Sequence, residues 1–333
     1  MRLMITGAAG FIGSNFVRHW IAERPEDHIV AYDLLTYAGN EPNLSDVRDR
    51  LVFVQGDIGE IGQVEKVIEA EEIDTIVNFA AESHNSYAVL DPAVFFRTNA
   101  MGTLNLLEAA RSREIGRFHH ISTCEVYGDL SLDTDEMFTE SSPYRPRTPY
   151  NASKAAADHA VRAYHETYEL PITITNCANN YGPYQFPEKV IPVFATNALN
   201  DKPIPLYAST QNRREWIHVL DHCRGIMRVI LDGRVGETYN IGTGIERNIE
   251  QIADAVLEAL GKPASLKTIV PDRPGHDRRY VLDWTKIKTE LGWAPEVDFD
   301  EGLRDTVHWY AEHRAWWEPL LERRPVVEEE AWK

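Results

Sequence analysis

Positive charge is what this chain lacks most. Lys and Arg number 34 against 52 Asp and Glu, which leaves a formal net charge of −18 over 333 residues. A surface of that sign has no field with which to collect nucleic-acid phosphates, so any phosphate must be held locally by backbone amides or a few placed cations. Cysteine is scarce too: Cys124, Cys177 and Cys223 are odd in number, far apart and without a C-x-x-C pair. That pattern indicates neither a disulfide framework nor a metal site, and reduced thiols fit a cytoplasmic location. No apolar run approaches the ~18 residues of a membrane helix, and Met1 leads straight into a short apolar strand without a basic region and signal core. These absences predict a cytoplasmic protein with no nucleic-acid and no membrane partner.

What is present is ordinary globular composition, 43% hydrophobic and 26% charged, in a chain long enough for two folding units of about 150 residues each. The first half alternates short apolar runs with amphipathic stretches. Residues 2–6, 28–33, 51–55, 75–79 and 117–122 read as strands, and 14–23, 64–70 and 102–113 as helices. Strands of four to six apolar residues separated by amphipathic helices are the pattern of a parallel sheet covered on both faces, a doubly wound α/β fold. After Pro171 the regularity weakens. Residues 172–177 and 239–241 still read as strands and 249–260 as a helix, among Pro- and Gly-rich stretches such as NNYGPYQFPEK and DRPGHDRR.

Gly7, Gly10 and Gly13 form G-x-x-G-x-x-G after the first strand and at the mouth of the first helix. Glycines there permit a tight turn and close approach of the backbone to a pyrophosphate, and the helix N-terminus adds free amides and partial positive charge. Asp33 ends the second strand twenty residues past Gly13, where a carboxylate accepts from adenosine ribose hydroxyls and repels a 2′-phosphate, so NAD is favoured over NADP. Asp57, after the third strand, is a further candidate on the adenine side. Tyr150 and Lys154 are spaced i, i+4 in PYNASKAAADH and share a helix face; an ammonium beside a phenol stabilises the phenolate. Thr123 follows the strand FHHIS and is placed to hydrogen-bond the same hydroxyl.

The glycine turn with Tyr-x-x-x-Lys resembles the extended short-chain dehydrogenase/reductase superfamily. Within it, TGAAGFIGSNF, LTYAGN, AAESH, EVYGD, NNYGPYQFPEKVIP, EWIHVLDHC, YNIGTG and DRPGHDRRY resemble the nucleotide-sugar 4,6-dehydratases, most of all those acting on dTDP-glucose. The resemblance implies a Rossmann-type fold with a smaller α/β substrate domain, NAD as cofactor, a dTDP-glucose or UDP-sugar substrate, and a homodimer packed through helices near 102–113 and 151–168. It implies an NAD site from Gly7, Gly10, Phe11, Ile12, Gly13, Asp33, Asp57, Ile58, Ala80, Ala81, Thr98, Tyr150 and Lys154. Thr123, Cys124, Glu125, Tyr150 and Lys154 would carry the chemistry. Ser83, His84, Thr123, Asn179, Lys189, Pro205, Tyr207, Arg214, Asn240, Arg273 and His276 would hold the nucleotide sugar. The cofactor domain would span 1–175, with 214–243 returning to it; 176–213 and 244–333 would form the substrate domain, with a poorly ordered acidic tail near 323–333.

Three stretches depart from the family pattern. Cys124 stands before Glu125 where the dTDP-glucose enzymes carry an Asp thought to protonate the departing hydroxyl. A thiol of reference pKa about 8.5 is mostly protonated at neutral pH and able to donate, and it is equally able to serve as a small packing residue. His84-Asn85-Ser86-Tyr87 replaces a His-Val-Asp-Arg pattern, and Asn176 stands where Arg is common, both near expected sugar or phosphate contacts. A nucleotide-sugar epimerase or decarboxylase using the same C4 oxidation, and a non-catalytic NAD-binding protein, are the alternatives.

Overall fold

The computed structural model describes residues 1–324. Its strands are β1 (Arg2–Thr6), β2 (His28–Asp33), β3 (Val52–Gln55), β4 (Thr75–Asn78), β5 (Arg117–Thr123), β6 (Ile172–Cys177), β7 (Asn179–Tyr181), β8 (Ile204–Tyr207), β9 (Arg213–His218), β10 (Thr238–Ile241), β11 (Glu246–Asn248), β12 (Lys267–Val270) and β13 (Arg279–Tyr280). Seven of them form one all-parallel sheet in the order β3-β2-β1-β4-β5-β6-β10.

Alternation along the strands explains the two helical layers. In β1, Leu3 and Ile5 point to one face and join Phe16, Val17 and Trp20 of helix Phe11–Glu23 and Ile226, Val229 and Ile230 of helix Val219–Asp232. Met4 between them points to the other face, with Val64 and Ile68 of helix Ile61–Ala70, Leu106 and Leu107 of helix Thr103–Ser112, and Val161 of helix Pro149–Tyr168. A period of two on a strand sends neighbours to opposite faces, and both faces here are apolar, so the strands read as continuous hydrophobic runs. Each fully buried aliphatic or aromatic side chain contributes about 1.5–3 kcal/mol by leaving water.

The second half builds a separate core from Phe194, Trp216, Ile252, Val256, Leu303, Val307 and Trp317. Around it β9 pairs with β7, β11 and β13, and β8 with β12. Of the segment 214–243, helix Val219–Asp232 and β10 pack on or in the large sheet, whereas the end of β9 pairs in the smaller one. Arg323 belongs to a short helical turn, Pro319–Arg323, and its guanidinium donates to the carbonyls of Thr36 and Gly39, both at 2.8 Å. Arg323, at the start of the expected tail, is thus tied to the fold, and residues 325–333 lie outside the described residues. Among the described residues no helix is long and apolar enough to cross a membrane.

Chain order reverses between β1 and β4. The carboxyl ends of those strands flank the crevice in which an open α/β sheet places its ligand.

Candidate active site

The turn after β1 is built for close approach. Gly7 has φ +66°, and a Cβ there would lie 2.7 Å from the Ala80 amide nitrogen; one on Gly13 would lie 2.2 Å from the Gly7 carbonyl oxygen. The helix from Phe11 therefore starts hard against the strand, with its amides facing the crevice. Asp33 at the end of β2 is 7% exposed. Its Oδ2 accepts from the Ala9 amide at 2.9 Å and its Oδ1 from the Leu35 amide at 2.8 Å. Those bonds fix the carboxylate and leave lone pairs for a pair of hydroxyls. A bare glycine cradle, a helix N-terminus and an anchored acid suit a dinucleotide.

On the neighbouring strand, Thr123 ends β5 and caps the short turn Cys124–Tyr127, its hydroxyl accepting from the Glu125 amide at 3.3 Å. Helix Pro149–Tyr168 starts where Thr148 accepts from the Asn151 amide and Pro149 takes the first position. This brings Tyr150 to the same place. Burial, then the charge of Glu125, raises the Tyr150 phenol well above its ordinary pKa, and a hydrogen bond with Thr123 opposes the rise. Lys154, one turn on, donates to the Ile121 carbonyl at 2.7 Å and lies 3.3 Å from His120 Nε2. Burial pushes its ammonium down to about 8. The expected lowering of the phenol by its lysine neighbour is thus outweighed by desolvation of both groups.

The second half supplies the cations. Lys189 donates to the Ser83 carbonyl at 2.7 Å. Arg214 is 5% exposed, donates to the Asp277 carbonyl at 2.6 Å and stacks 4.7 Å over Tyr280. His276 lies edge-on to Tyr207, with ring centroids 5.0 Å apart, and burial with the charges of Arg214 and Arg273 holds it near 4 and neutral. In an acidic protein these three cations on one cavity wall, Lys189, Arg214 and Arg273, offer charge suited to a diphosphate.

A single cavity of about 650 Å³ is lined by every residue that the resemblance assigns to the cofactor, the chemistry or the nucleotide sugar except Cys124 and Asn240. Cys124 is 1% exposed and packs with Val126, Tyr127, Phe138, Leu282 and their neighbours in an apolar cluster. Burial, then the charge of Glu125, raises its thiol well above the ordinary value; it is protonated, but it faces away from the crevice. Asn240 is also turned inward: it accepts from the Tyr127 hydroxyl at 2.9 Å and donates to the Phe138 carbonyl at 3.0 Å. Asn176 joins the same buried chain, donating to the Tyr127 hydroxyl at 2.6 Å. It does not line the crevice, contrary to the expectation that its departure bears on substrate contacts.

The structure adds residues that motif spacing does not assign. Tyr280 lines the cavity and donates its hydroxyl to Asn179 Oδ1 at 2.8 Å; its place in DRPGHDRRY was the available signal. Glu188 is a carboxylate at the cavity wall that receives the Tyr37 hydroxyl at 3.2 Å. Asn85 joins the cavity wall and reaches Glu125.

The chain is similar over nearly its whole length to known proteins. The family model for GDP-mannose 4,6 dehydratase matches residues 4–306. The dTDP-glucose 4,6-dehydratase of Streptomyces niveus is 48% identical, with 96% of each chain covered, and that of Neisseria meningitidis serogroup B is also 48% identical with the same coverage. The crystal structure of a dTDP-glucose 4,6-dehydratase from Streptomyces venezuelae, with NAD and a further ligand bound, superposes with a TM-score of 0.93 at 49% identity, covering 96% of this chain and 100% of that one. A UDP-glucose 4-epimerase from Thermus thermophilus in complex with NAD superposes with a TM-score of 0.87 at 31% identity, covering 94% and 100%.

Proposed function

This chain belongs to the nucleotide-sugar 4,6-dehydratase family, and from that membership we propose that it removes water from dTDP-glucose to give the 4-keto-6-deoxy sugar, as an NAD-dependent lyase. The observation that carries the reading is the convergence of Thr123, Glu125, Tyr150 and Lys154 on the wall of one cavity shared with the Gly7–Gly13 turn. A 4-epimerase needs no second base such as Glu125 beside Thr123, Tyr150 and Lys154, and the epimerase above matches at 31% identity against 49% for the dehydratase.

The residues divide the work. Gly7, Gly10 and Gly13 seat the pyrophosphate of NAD against the helix N-terminus, and Asp33 takes the ribose hydroxyls. Bound NAD supplies a hydride acceptor for sugar C4 and, once reduced, a hydride donor for C6. Lys189, Arg214 and Arg273 hold the diphosphate, and Pro205 and Tyr207 frame the base. Tyr150 takes the proton of the 4-hydroxyl as its phenolate, the form that the hydrogen bond with Thr123 and the charge of Lys154 favour against burial. The resulting ketone acidifies the C5–H bond, and Glu125 removes that proton. The C5–C6 double bond forms as the C6–O bond breaks; the proton on Glu125 leaves with the hydroxyl as water. Once hydride reaches C6, C5 takes up the proton that Tyr150 held, so both groups end the cycle as they began.

Incubation with dTDP-glucose should give a product lighter by one water. In rapid mixing, Glu125→Gln should accumulate the reduced-cofactor absorbance, whereas Tyr150→Phe should not. Equal silence from both, with normal substrate binding, removes Glu125 from the later step; an unchanged sugar mass refutes the lyase.

The reading extends to the assembly. Residues 1–175 with the helix and strand of 219–241 serve the cofactor, and the remainder serves the nucleotide sugar. A homodimer through the helices near 102–113 and 151–168 is supported by Phe96, Met101 and Tyr168, which are 40%, 54% and 50% exposed on that side of the molecule. Three buried free thiols suit a reducing cytoplasm.

A further inference from the structure

Asn85 lies in the stretch where the chain departs from the family pattern, and its side chain is held at both ends. The Asn151 amide donates to Thr148 Oγ1 at 3.2 Å, the Thr148 hydroxyl donates to Asn85 Oδ1 at 2.7 Å, and Asn85 Nδ2 donates to Glu125 Oε2 at 2.9 Å. The direction of this relay is set at its end. A carboxylate can only accept, so the amide atom facing Glu125 is the –NH₂, which leaves the Asn85 oxygen toward Thr148 and makes the threonine hydroxyl the donor there. The relay starts at the cap of the helix that carries Tyr150 and Lys154 and ends on the carboxylate opposite them.

We propose that Asn85 is a positioning residue for Glu125: it keeps Oε2 as a hydrogen-bond acceptor, so that the proton removed from C5 is carried on Oε1, from which it leaves with the C6 hydroxyl. The inference rests on Glu125 being the base in the reaction above. No proton passes through Asn85 itself, whose amide only donates a hydrogen bond throughout. A carboxylate held at one oxygen has one orientation and one free oxygen, which confines proton uptake and delivery to the sugar side. Charged and titratable groups within electrostatic reach of Glu125 are Tyr150, Cys124, Cys177, Lys189, Asp277 and Tyr280, and Lys189 is the cation among them.

The test compares the full-length protein loaded with NAD as wild type, Asn85→Leu, Asn85→Asp and Glu125→Gln. Removing the donor disfavours the ionised carboxylate and releases its orientation, worth about tenfold to a hundredfold in the step that uses it. Asn85→Leu should lower kcat by that factor with KM within about threefold, let reduced cofactor accumulate during turnover, slow deuterium uptake at C5 from heavy water, and move the acid limb of the pH profile about one unit upward. Asn85→Asp, which is isosteric, should move that limb further because it places a second negative charge beside the first; it also serves as the readable variant should Asn85→Leu not fold. Thr148→Val combined with Asn85→Leu should cost no more in elimination rate than Asn85→Leu alone, since both break one relay. The inference is overturned if both Asn85 variants keep the wild-type pH profile and C5 exchange, or if they slow C4 oxidation and elimination in parallel, as general loosening of the site does. Accumulation of reduced cofactor in Glu125→Gln with wild-type behaviour of both Asn85 variants removes this inference alone. Normal turnover of Glu125→Gln removes the base reading and this inference with it.

Discussion

One substitution, glycine to alanine, made at four places tests the cofactor cradle with its own controls. At Gly13 the new methyl would lie 2.2 Å from the Gly7 carbonyl oxygen and 3.0 Å from Ala8 Cα. Both neighbours are backbone, so the helix Phe11–Glu23 must retreat from the strand, at about 3 kcal/mol as for severe overpacking. Its amides retreat with it. Weakening one charge-assisted bond to the pyrophosphate costs about 1.5–3 kcal/mol, or roughly tenfold to a hundredfold in NAD affinity. Gly7→Ala meets the Ala80 nitrogen at 2.7 Å and must also hold φ near +66°, which adds about 1 kcal/mol for a residue with a Cβ. At Gly10 the nearest atom is 3.3 Å away, tight but within reach of a small adjustment. At Gly62, inside helix Ile61–Ala70, nothing lies within 4 Å, and alanine should stabilise by about 0.5 kcal/mol through helix entropy. Acid extraction of the purified variants gives NAD content, and thermal melts with and without added NAD separate fold from site. The expected order of retained NAD is Gly62→Ala, Gly10→Ala, then Gly7→Ala and Gly13→Ala. Equal NAD content and affinity in Gly13→Ala and Gly62→Ala would refute the close-approach argument.

Cys124→Ala should leave elimination within a few-fold of wild type and cost about 1 kcal/mol of stability, the value of a group the size of one buried methylene; accumulation of reduced cofactor in single turnover would instead restore the thiol to the chemistry. Lys154 is held near 8 by burial, so the rate of C4 oxidation should fall as pH rises through that value, and Lys154→Arg should abolish this basic limb; a flat profile to pH 10 would contradict it. Asp277 is 1% exposed, neither of its carboxylate oxygens has a hydrogen-bond partner, and burial pushes it up to about 6. The folded state therefore keeps this proton to higher pH than the unfolded chain, and its stability falls relative to the unfolded chain as pH rises from about 4 to about 6. Asp277→Asn should stabilise the fold by about 1–3 kcal/mol at pH 7.5 and by almost nothing at pH 4, read by denaturant unfolding at the two values. The same gain at both would show that charge is not the cause.

The glycine turn, Asp33 and the Tyr150–Lys154 pair were legible because each depends on short-range spacing: a strand end, a turn and one helical turn. Which way the residues after β5 face was not. Cys124 and Glu125 occupy a tight helical turn in which successive side chains diverge by about 120°, so one enters the apolar cluster and the other the crevice, and the pair of letters does not say which. Asn240 follows a different logic. It alternates with Tyr239 and Ile241, both of which join the core on one face, so it must point to the opposite face, where Tyr127 waits. Its assignment to the nucleotide sugar came with the family resemblance, although the period of two already argued otherwise. The π-helical turn Phe96–Gly102 left no mark in the sequence, since the extra residue changes no hydrophobic period long enough to detect. Contacts such as Asn85 to Glu125 join positions forty residues apart and exist only once β4 and β5 are side by side.

The clasp of Arg323 on the Thr36–Gly39 loop bridges 287 positions to Thr36, and Trp316 adds a bond to Asn43 Oδ1 at 2.8 Å. The residues proposed for the adenine side are made early in synthesis, yet the loop beside them acquires its last fastening only when almost the whole chain exists. A growing chain can thus complete the glycine turn and its acid long before it can secure the rim around them. Cofactor retention becomes a property of the finished molecule, and a chain shortened before this clasp would be a poor holder of NAD with every residue proposed to contact the cofactor intact.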